Sequence, residues 1–388
     1  MPGDDRVIAA RVRDRLADLQ AQHLLRTLRS PFGVDLSSND YLTLSTHPRV
    51  VAAFAAGVAA EGVGSTGSRL LRGERRAFEE VERRFATFKG TERGLFFSSG
   101  YLANIAVLAT LPEAGDVIFS DALNHASLID GVRLSRANRV VFPHNDANAL
   151  AGLVDATPCS GQRFIVVESL FSMDGDEAPL KAYAELCRRT GAALIVDEAH
   201  AVGVYGEYGT GLIEAAGVSR DVLVSVNPAG KALGVGGACV TGAAWVIDYL
   251  VQRARPFVFS TASPPAMAHA LIESLDVVRD EPDRRLRLRA LSSRLRARLA
   301  DAGHQVTQGP SHIVPVLIGS NEAALAVAAA LQAEGFDVRA IRPPTVPAGT
   351  SRLRVSVNVG LDDATLDKFV ERLTVAVKET GVCSAVSS

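Results

Sequence analysis

The sequence has few of the cysteines that mark a metal-binding or disulfide-stabilised protein. Its 388 residues contain four cysteines, and these lie far apart along the chain: Cys159, Cys187, Cys239 and Cys383. This spacing gives neither a zinc knuckle nor a disulfide framework. We therefore expect reduced thiols and a cytoplasmic protein without a metal site.

Other absences narrow the class of protein further. No uncharged apolar run approaches the length of a membrane span. The charged start, Met1-Pro-Gly-Asp-Asp-Arg6, is not followed by the apolar segment of a secretory signal. A net charge of −2 gives no support for a nucleic-acid-binding surface. We expect neither a membrane nor a nucleic acid as a partner.

Short apolar segments that alternate with helical patterns are abundant in the middle of the chain. The predicted strands are Leu95–Phe97, Val117–Ser120, Val140–Phe142, Phe164–Val167, Ala193–Val196, Val222–Val226 and Ala238–Thr241. Helical patterns lie between most of them, at 101–111, 125–136, 146–154, 179–190 and 211–217. Strands that alternate with helices predict a mainly parallel sheet covered on both faces, which is an α/β fold.

The two ends of the chain show different patterns. Residues 5–29 have apolar residues at helical spacing and predict an N-terminal helix or arm. A long helix is predicted over 265–302, followed by a smaller α+β domain. Its predicted strands are Ile313–Ile318, Asp337–Ile341 and Arg352–Val357. We therefore divide the chain into an arm at 1–45, a large domain at 46–250 and a connecting helix with a small domain at 251–388.

One lysine stands out because of its position. Lys231 follows the strand 222–226 and the pair Asn227-Pro228, and glycines surround it. A loop just past a strand end is well placed for chemistry in an α/β protein. A solvated surface lysine is the alternative, since lysines are mostly exposed.

Polar residues, together with one glycine at a predicted helix start, follow the other predicted strands at their carboxyl ends. They are Ser99, Gly100, Tyr101, His125, Ser172, Asp197 and His200. Ligands of open α/β sheets bind at this edge. A lysine for the aldehyde, a carboxylate for the ring nitrogen, a flat side chain and a helix N-terminus for the phosphate together suit pyridoxal phosphate.

The sequence supports two other classes of function less well. The string Asp197-Glu-Ala-His200 also occurs in helicase-type ATPases, but these need an upstream Gly-x4-Gly-Lys-Ser/Thr. Gly62 and Gly67 have that spacing, yet Ser68 stands where the lysine belongs. A non-catalytic scaffold does not explain why the polar groups collect at strand ends.

Seven motifs make the sequence similar to the α-oxoamine synthase family of pyridoxal-phosphate enzymes. They are Ser38-Asn-Asp-Tyr-Leu42, Phe97-Ser-Ser-Gly-Tyr101, Asn124-His-Ala-Ser-Leu-Ile-Asp130, Phe171-Ser-Met-Asp-Gly-Asp176, Val196-Asp-Glu-Ala-His200, Gly230-Lys-Ala-Leu-Gly234 and Ile341–Arg354. Their order along the chain is the order of the family. The resemblance covers nearly the whole chain and implies the aspartate-aminotransferase type of fold, known as fold type I.

The resemblance also implies roles for individual residues. Lys231 would bind the cofactor aldehyde covalently and remove the α-proton, Asp197 would face the ring nitrogen, and His125 would stack on the ring. Further cofactor contacts are implied for Ser99, Gly100, Tyr101, Ser172, His200 and Thr261. Substrate carboxylates are implied to bind Arg13, Asn39, Arg342 and Arg354. In this comparison Thr261 serves the phosphate of a second subunit, which implies a homodimer with shared active sites.

The resemblance is strongest to members that condense L-alanine with a pimeloyl thioester, on coenzyme A or an acyl carrier protein, in biotin synthesis. The second choice is a relative that uses glycine and acetyl-CoA. One departure from the family concerns Pro228, which stands where a threonine or serine hydroxyl commonly touches the phosphate. Either Ser225 or Asn227 replaces that contact, or the phosphate has one contact fewer.

Overall fold

The computed structural model describes residues 7–307 and 309–381, which form two compact units. The larger unit contains Asn39–Ser172 and Asp176–Leu288. The smaller unit contains the described residues up to Ser38, Met173–Gly175 and those from Arg289 onward. Each unit is described by itself below.

The described strands and helices have the following limits. The strands are β1 (Val34–Asp35), β2 (Arg93–Phe97), β3 (Val117–Asp121), β4 (Asn138–Phe142), β5 (Arg163–Glu168), β6 (Ala193–Asp197), β7 (Val222–Pro228), β8 (Ala238–Gly242), β9 (Ile313–Gly319), β10 (Phe336–Asp337), β11 (Ala340–Ile341) and β12 (Ser351–Ser356). The helices are α1 (Val7–Ala21), α2 (Pro48–Glu61), α3 (Arg76–Lys89), α4 (Gly100–Leu108), α5 (Ala126–Leu134), α6 (Ala147–Ala156), α7 (Leu180–Thr190), α8 (Leu212–Ala216), α9 (Ala244–Arg253), α10 (Arg255–Val258), α11 (Pro265–Asp280), α12 (Asp283–Asp301), α13 (Asn321–Ala333) and α14 (Asp363–Glu379).

The larger unit is built on a seven-stranded sheet in the order β2-β8-β7-β6-β5-β3-β4. Strand β8 runs antiparallel to both of its neighbours, and the other neighbouring pairs are parallel. All seven predicted strands and the mainly parallel α/β fold are confirmed. Since β2 and the five parallel strands point the same way, their carboxyl ends lie along one edge of the sheet.

The sheet is apolar on both faces, as a parallel sheet covered by helices requires. In β5, Ile165, Val166 and Val167 have no exposed surface, and neither do Leu194 and Ile195 of β6. Each such side chain contributes about 1.5–3 kcal/mol to folding through burial. This rigid core fixes the positions of the polar residues that follow the strands.

The smaller unit contains a three-stranded antiparallel sheet in the order β11-β12-β9 and a parallel pair of β1 with β10. Helices α13 and α14 pack against each other. No residue of α1 is buried. Across the described residues of both units, no helix combines the length and apolar character that a membrane crossing requires.

Three predicted elements differ from the structure. The helix expected over 265–302 is divided into α11 and α12, because Pro282 lacks an N–H and disfavours helical backbone in the residue before it. The N-terminal helix ends at Ala21, since His23 adopts a left-handed conformation with φ 55° and closes the helix end. The strand expected over 337–341 forms two separate two-residue strands, β10 and β11.

Candidate active site

The Lys231 side chain lies past the carboxyl end of β7 and is half-buried. Its Nζ atom is 2.8 Å from Nε2 of His200. The turn that holds it is closed by a hydrogen bond from the Gly234 N–H to the Lys231 carbonyl at 2.8 Å. Gly234 has φ +67°, and a Cβ there would lie 2.3 Å from the Ser45 nitrogen, so only glycine fits this turn.

A chain of hydrogen bonds continues from His200. The Tyr41 hydroxyl donates to Asn39 Oδ1 at 2.8 Å and is 2.6 Å from His200 Nδ1. Because the hydroxyl has one proton, His200 Nδ1 is the donor to the tyrosine oxygen and Nε2 accepts from Lys231. Asn39, Tyr41 and His200 therefore hold the lysine amine in a defined position.

Asp197 ends β6 and is 3% exposed. One carboxylate oxygen accepts the Ala199 N–H at 2.8 Å, and the other accepts Asn104 Nδ2 at 2.7 Å. These two N–H donors fix the orientation of the Asp197 carboxylate.

His125 is the N-cap residue of α5, and its Nδ1 lies 2.7 Å from the Ser127 hydroxyl. The Tyr101 ring meets the imidazole edge-on, with 6.4 Å between ring centroids. Desolvation lowers the pKa of His125; the Asp197 charge opposes this shift and the Lys231 charge adds to it. Since both charges act on the imidazole, the Lys231, Asp197 and His125 side chains lie near one another.

The helix start at Ser99-Gly100-Tyr101 is formed as predicted. The Ser99 hydroxyl accepts the Leu102 N–H at 3.3 Å and caps α4. The first N–H groups of a helix have no partner within the helix and carry its positive dipole end, which suits a phosphate group. The Tyr101 hydroxyl bonds to Asp130 of α5.

The Ser225 and Asn227 side chains form hydrogen bonds within the sheet. The Ser225 hydroxyl pairs with Thr241 of β8 at 2.8 Å. Asn227 uses its Nδ2 group on Ser225 and on the Cys239 carbonyl. Because both side chains are buried between β7 and β8, neither replaces the hydroxyl that Pro228 lacks.

The acidic residue between Asp197 and His200 has a structural partner. The Glu198 carboxylate forms a buried ion pair with Lys89, and its other oxygen accepts the Ile213 N–H at 3.0 Å. Both carboxylate oxygens are thus used inside the protein, which further weakens the ATPase interpretation.

Sequence reasoning missed several polar residues of this edge. Asn104 is a buried amide in the apolar helix α4, and a polar residue in such a helix could have been recognised from the sequence as a candidate site residue. Glu168 ends β5 as the register partner of Asp197; burial raises its pKa to about 8, and the Asp197 charge adds to the shift.

His144 lies between Asp121 at 2.8 Å and Asp176 at 2.7 Å. Burial opposes a charge on His144, but the two carboxylates raise its pKa to about 10.

Ser172 and Thr261 lie on other loops of the larger unit. Ser172 is half-buried, one residue after the buried Phe171. Thr261 is exposed in the loop before α11. That loop is held by the Ala262 N–H on the Gly67 carbonyl at 2.9 Å and by the Ser65 hydroxyl on the Ser263 carbonyl at 2.5 Å.

The three predicted arginines belong to the smaller unit. Arg354 is buried on β12, and its Nη1 donates to the Ser356 hydroxyl at 2.7 Å. Arg342 donates to the carbonyls of His23 and Leu25, and burial lowers its pKa. Arg13 lies exposed on α1.

The residues of the larger unit fit pyridoxal phosphate on chemical grounds. They supply a half-buried amine, a buried carboxylate fixed by two N–H donors, an imidazole influenced by both, and a capped helix start at the same sheet edge. An aldehyde, a ring nitrogen, a flat ring and a phosphate are the groups that this set complements.

Comparisons with known proteins agree with this fit. The aminotransferase class I and II family matches residues 33–373. The 8-amino-7-oxononanoate synthase of Burkholderia orbicola is 48% identical over 96% of this chain and 95% of its own length. Among solved structures, serine palmitoyltransferase of Sphingomonas wittichii superposes with a TM-score of 0.89 at 31% identity, covering 96% of this chain and 98% of that one. The 8-amino-7-oxononanoate synthase of Francisella tularensis superposes with a TM-score of 0.78 at 30% identity, covering 90% and 99%.

The match spans nearly the full length of the chain and of its relatives, and the fold is that of fold-type I enzymes. The chain therefore belongs to the α-oxoamine synthases, the pyridoxal-phosphate-dependent acyltransferases within the class I and II aminotransferase family.

Proposed function

We propose that the protein condenses L-alanine with a pimeloyl thioester and releases CO₂ and the free thiol, giving 8-amino-7-oxononanoate for biotin synthesis. The observation that carries this proposal is the 48% identity to an 8-amino-7-oxononanoate synthase over 96% of the chain. The reaction joins the α-carbon of alanine to the acyl carbon, breaks the thioester bond and removes the carboxylate of alanine.

We assign the cofactor contacts to residues of the larger unit. Lys231 would be the covalent attachment point, Asp197 would accept a hydrogen bond from the ring nitrogen, and His125 would stack on the ring. The N–H groups of Gly100 and Tyr101 would hold the phosphate, while His200 and Ser172 would contact the phenolic oxygen. When bound, the cofactor supplies an electron sink for the carbanion at the alanine α-carbon.

Proton movement is assigned to Lys231. Its amine removes the α-proton of alanine and later returns a proton to the product carbon. His200 Nε2, at 2.8 Å, holds the amine in place between these steps. Asp197 would accept a hydrogen bond from the protonated ring nitrogen, and two N–H donors fix its carboxylate in place.

Four further polar residues are assigned to the substrates. Arg354 and Asn39 bind the carboxylate of alanine, since a guanidinium can form two parallel hydrogen bonds with it. Arg342 and Arg13 are assigned to carboxylates of the substrates, with Arg13 serving the far end of the pimeloyl chain. His125 orients the thioester carbonyl.

The proposed assembly is a homodimer with shared active sites. Thr261 is exposed on a loop that is held by one main-chain hydrogen bond and by one bond from the Ser65 hydroxyl, so its own hydroxyl can be presented to a second subunit. Dilution to the monomer should then release cofactor together with activity. Sedimentation and cofactor absorbance measured on the same dilution series test this, and a monomer that keeps its cofactor and its full activity would refute it.

A panel of substrate pairs tests the reaction. The enzyme receives L-alanine with pimeloyl-CoA, L-alanine with pimeloyl-acyl carrier protein, glycine with acetyl-CoA, and L-serine with palmitoyl-CoA. We expect the alanine pairs to have the largest kcat/KM, and the better of the two identifies the acyl carrier. Faster turnover of the glycine or serine pair would overturn the substrate assignment while leaving Lys231 and Asp197 in their roles.

A further inference from the structure

Asn104 joins two parts of the site that lie on different elements. Its side chain is 1% exposed, and Nδ2 lies 2.7 Å from Asp197 Oδ2 and 2.9 Å from the Ser127 hydroxyl. The amide nitrogen has two protons, so it donates one to each oxygen. The reversed amide would set its oxygen against the Asp197 carboxylate, which is electrostatically unfavourable. The orientation of the amide is therefore determined by its neighbours.

The orientation of the Asn104 amide determines the direction of the hydrogen bond between Ser127 and His125. Since the Ser127 oxygen accepts from Asn104, its own proton is directed to His125 Nδ1, which is 2.7 Å away. The Ser127 N–H also donates to Nδ1, at 3.2 Å. Nδ1 is thus an acceptor for two donors, and the neutral imidazole carries its proton on Nε2.

The electrostatic surroundings favour that neutral ring. Desolvation lowers the pKa of His125 and the Lys231 charge lowers it further, against the opposing effect of Asp197. A neutral ring with Nδ1 occupied has one remaining polar atom, Nε2–H, and this atom is a donor. A thioester carbonyl oxygen is an acceptor, so the tautomer matches the role that the proposed function gives to His125.

We propose that Asn104 and Ser127 are positioning residues that fix His125 as the Nε2–H tautomer and tie that choice to the Asp197 carboxylate. The tautomer follows from hydrogen-bond geometry alone, whereas the use of Nε2–H on the thioester carbonyl rests on the proposed function. The two residues differ in which functional side chains they contact. Ser127 bonds to His125, whereas Asn104 bonds to Asp197 and influences His125 through Ser127.

The first experiment reads the tautomer directly in the cofactor-free enzyme. ¹⁵N spectra of histidine-labelled protein are recorded above the pKa of His125, whose signals are assigned by their loss in His125→Asn. We expect a protonated Nε2 and an unprotonated Nδ1. In Ser127→Ala the backbone N–H of residue 127 still donates to Nδ1, so the Nδ1–H form should gain population only in part, and the pKa of His125 should rise because one donor to Nδ1 is lost. Ser127→Thr, which keeps the hydroxyl, should resemble the unaltered enzyme.

The second experiment uses kinetics to separate the effect on His125 from the effect on Asp197. Ser127→Ala should lower kcat/KM for the thioester roughly fivefold, the effect of one hydrogen bond. In this variant, exchange of the alanine α-proton in D₂O without thioester should stay within about twofold of the unaltered rate. Asn104→Ala should lower both rates, because Asp197 then loses a donor as well.

Several results would overturn the proposal. They are a proton on Nδ1 in the unaltered enzyme, a Ser127→Ala variant in which neither the Nδ1–H population nor the pKa of His125 rises, and equal losses of thioester turnover and proton exchange in that variant. The first needs no variant, so it holds even if a substitution disturbs folding. If another amino acid and thioester prove to be the substrates, the kinetic arms use that pair and the spectra remain valid, which separates failure of this inference from failure of the proposed function.

Discussion

Gly100 and Pro228 are packed so closely that a Cβ atom on Gly100 would lie 2.5 Å from Pro228 Cγ. The first residue of α4 is thereby fitted to the last residue of β7, next to the N–H groups proposed to receive the phosphate. Pro228, the residue that departs from the family pattern, therefore lies next to the proposed phosphate site. Because Ser225 and Asn227 are engaged between β7 and β8, the proposed phosphate site has one hydroxyl fewer.

Pro228→Thr is expected to strengthen cofactor binding. A hydrogen bond to a charged group contributes about 1.5–3 kcal/mol, so the dissociation constant should fall by roughly tenfold or more. Pro228→Ala is the matched control, because it removes the ring without adding a hydroxyl. Titration of the cofactor-free proteins measures both constants, and equal affinity in the two variants would contradict the prediction.

Gly100→Ala is expected to weaken both the fold and the cofactor site. The added methyl group overlaps Pro228, and such overpacking costs about 1–3 kcal/mol. Gly152→Ala in α6 is the control, since a Cβ there meets no atom within 4 Å and the change should stabilise the helix by about 0.5–1 kcal/mol. Chemical denaturation of both variants gives the free energies of unfolding, and a Gly100→Ala protein as stable as the Gly152→Ala protein would show that the contact relaxes freely.

Lys231→Ala is expected to abolish covalent attachment of the cofactor. Borohydride treatment followed by mass spectrometry should give a modified peptide in the unaltered enzyme and none in the variant, with nearly all turnover lost. Lys181→Ala, at an exposed position of α7, should keep the modification. Modification at another lysine, together with normal turnover in Lys231→Ala, would move the reactive amine elsewhere.

Glu168 is expected to make stability depend on pH. Burial and the Asp197 charge raise its pKa from 4.5 to about 8, so between these values the folded protein holds a proton that the unfolded chain has released. The free energy of unfolding of the unaltered protein therefore falls as pH rises through this window. Glu168→Gln has no such proton, and its stability relative to the unaltered protein should rise from pH 4.5 to pH 8 and then level off.

Denaturation of the cofactor-free proteins across this range measures the difference. The exposed Glu185→Gln on α7 serves as the control for loss of a carboxylate elsewhere. A constant difference between Glu168→Gln and the unaltered protein at every pH would show that Glu168 titrates alike in the folded and unfolded states.

Much of the larger unit could be predicted because its signals are local. Apolar runs of three to five residues gave all seven strands, and the residues that follow these runs include Lys231, Asp197, His125 and the start of α4. The parallel order then brings these residues to one sheet edge, since parallel strands place their carboxyl ends together. The breaks at His23 and Pro282 were missed because the surrounding helical pattern continues across each of them.

The sequence by itself determined the strands, the sheet edge and the chemical types of side chain gathered there, because each depends on neighbouring residues and on hydrophobic periodicity. Only the tertiary structure decided which hydrogen-bond partners these side chains have. Asn104 meets Asp197 across 93 positions, and Tyr41 meets His200 across 159. Such pairs leave no periodic trace in the chain. They form because packing of α4 and of the segment before α2 on the sheet brings distant polar groups together, where burial makes an unpaired group costly and so fixes the direction of each hydrogen bond.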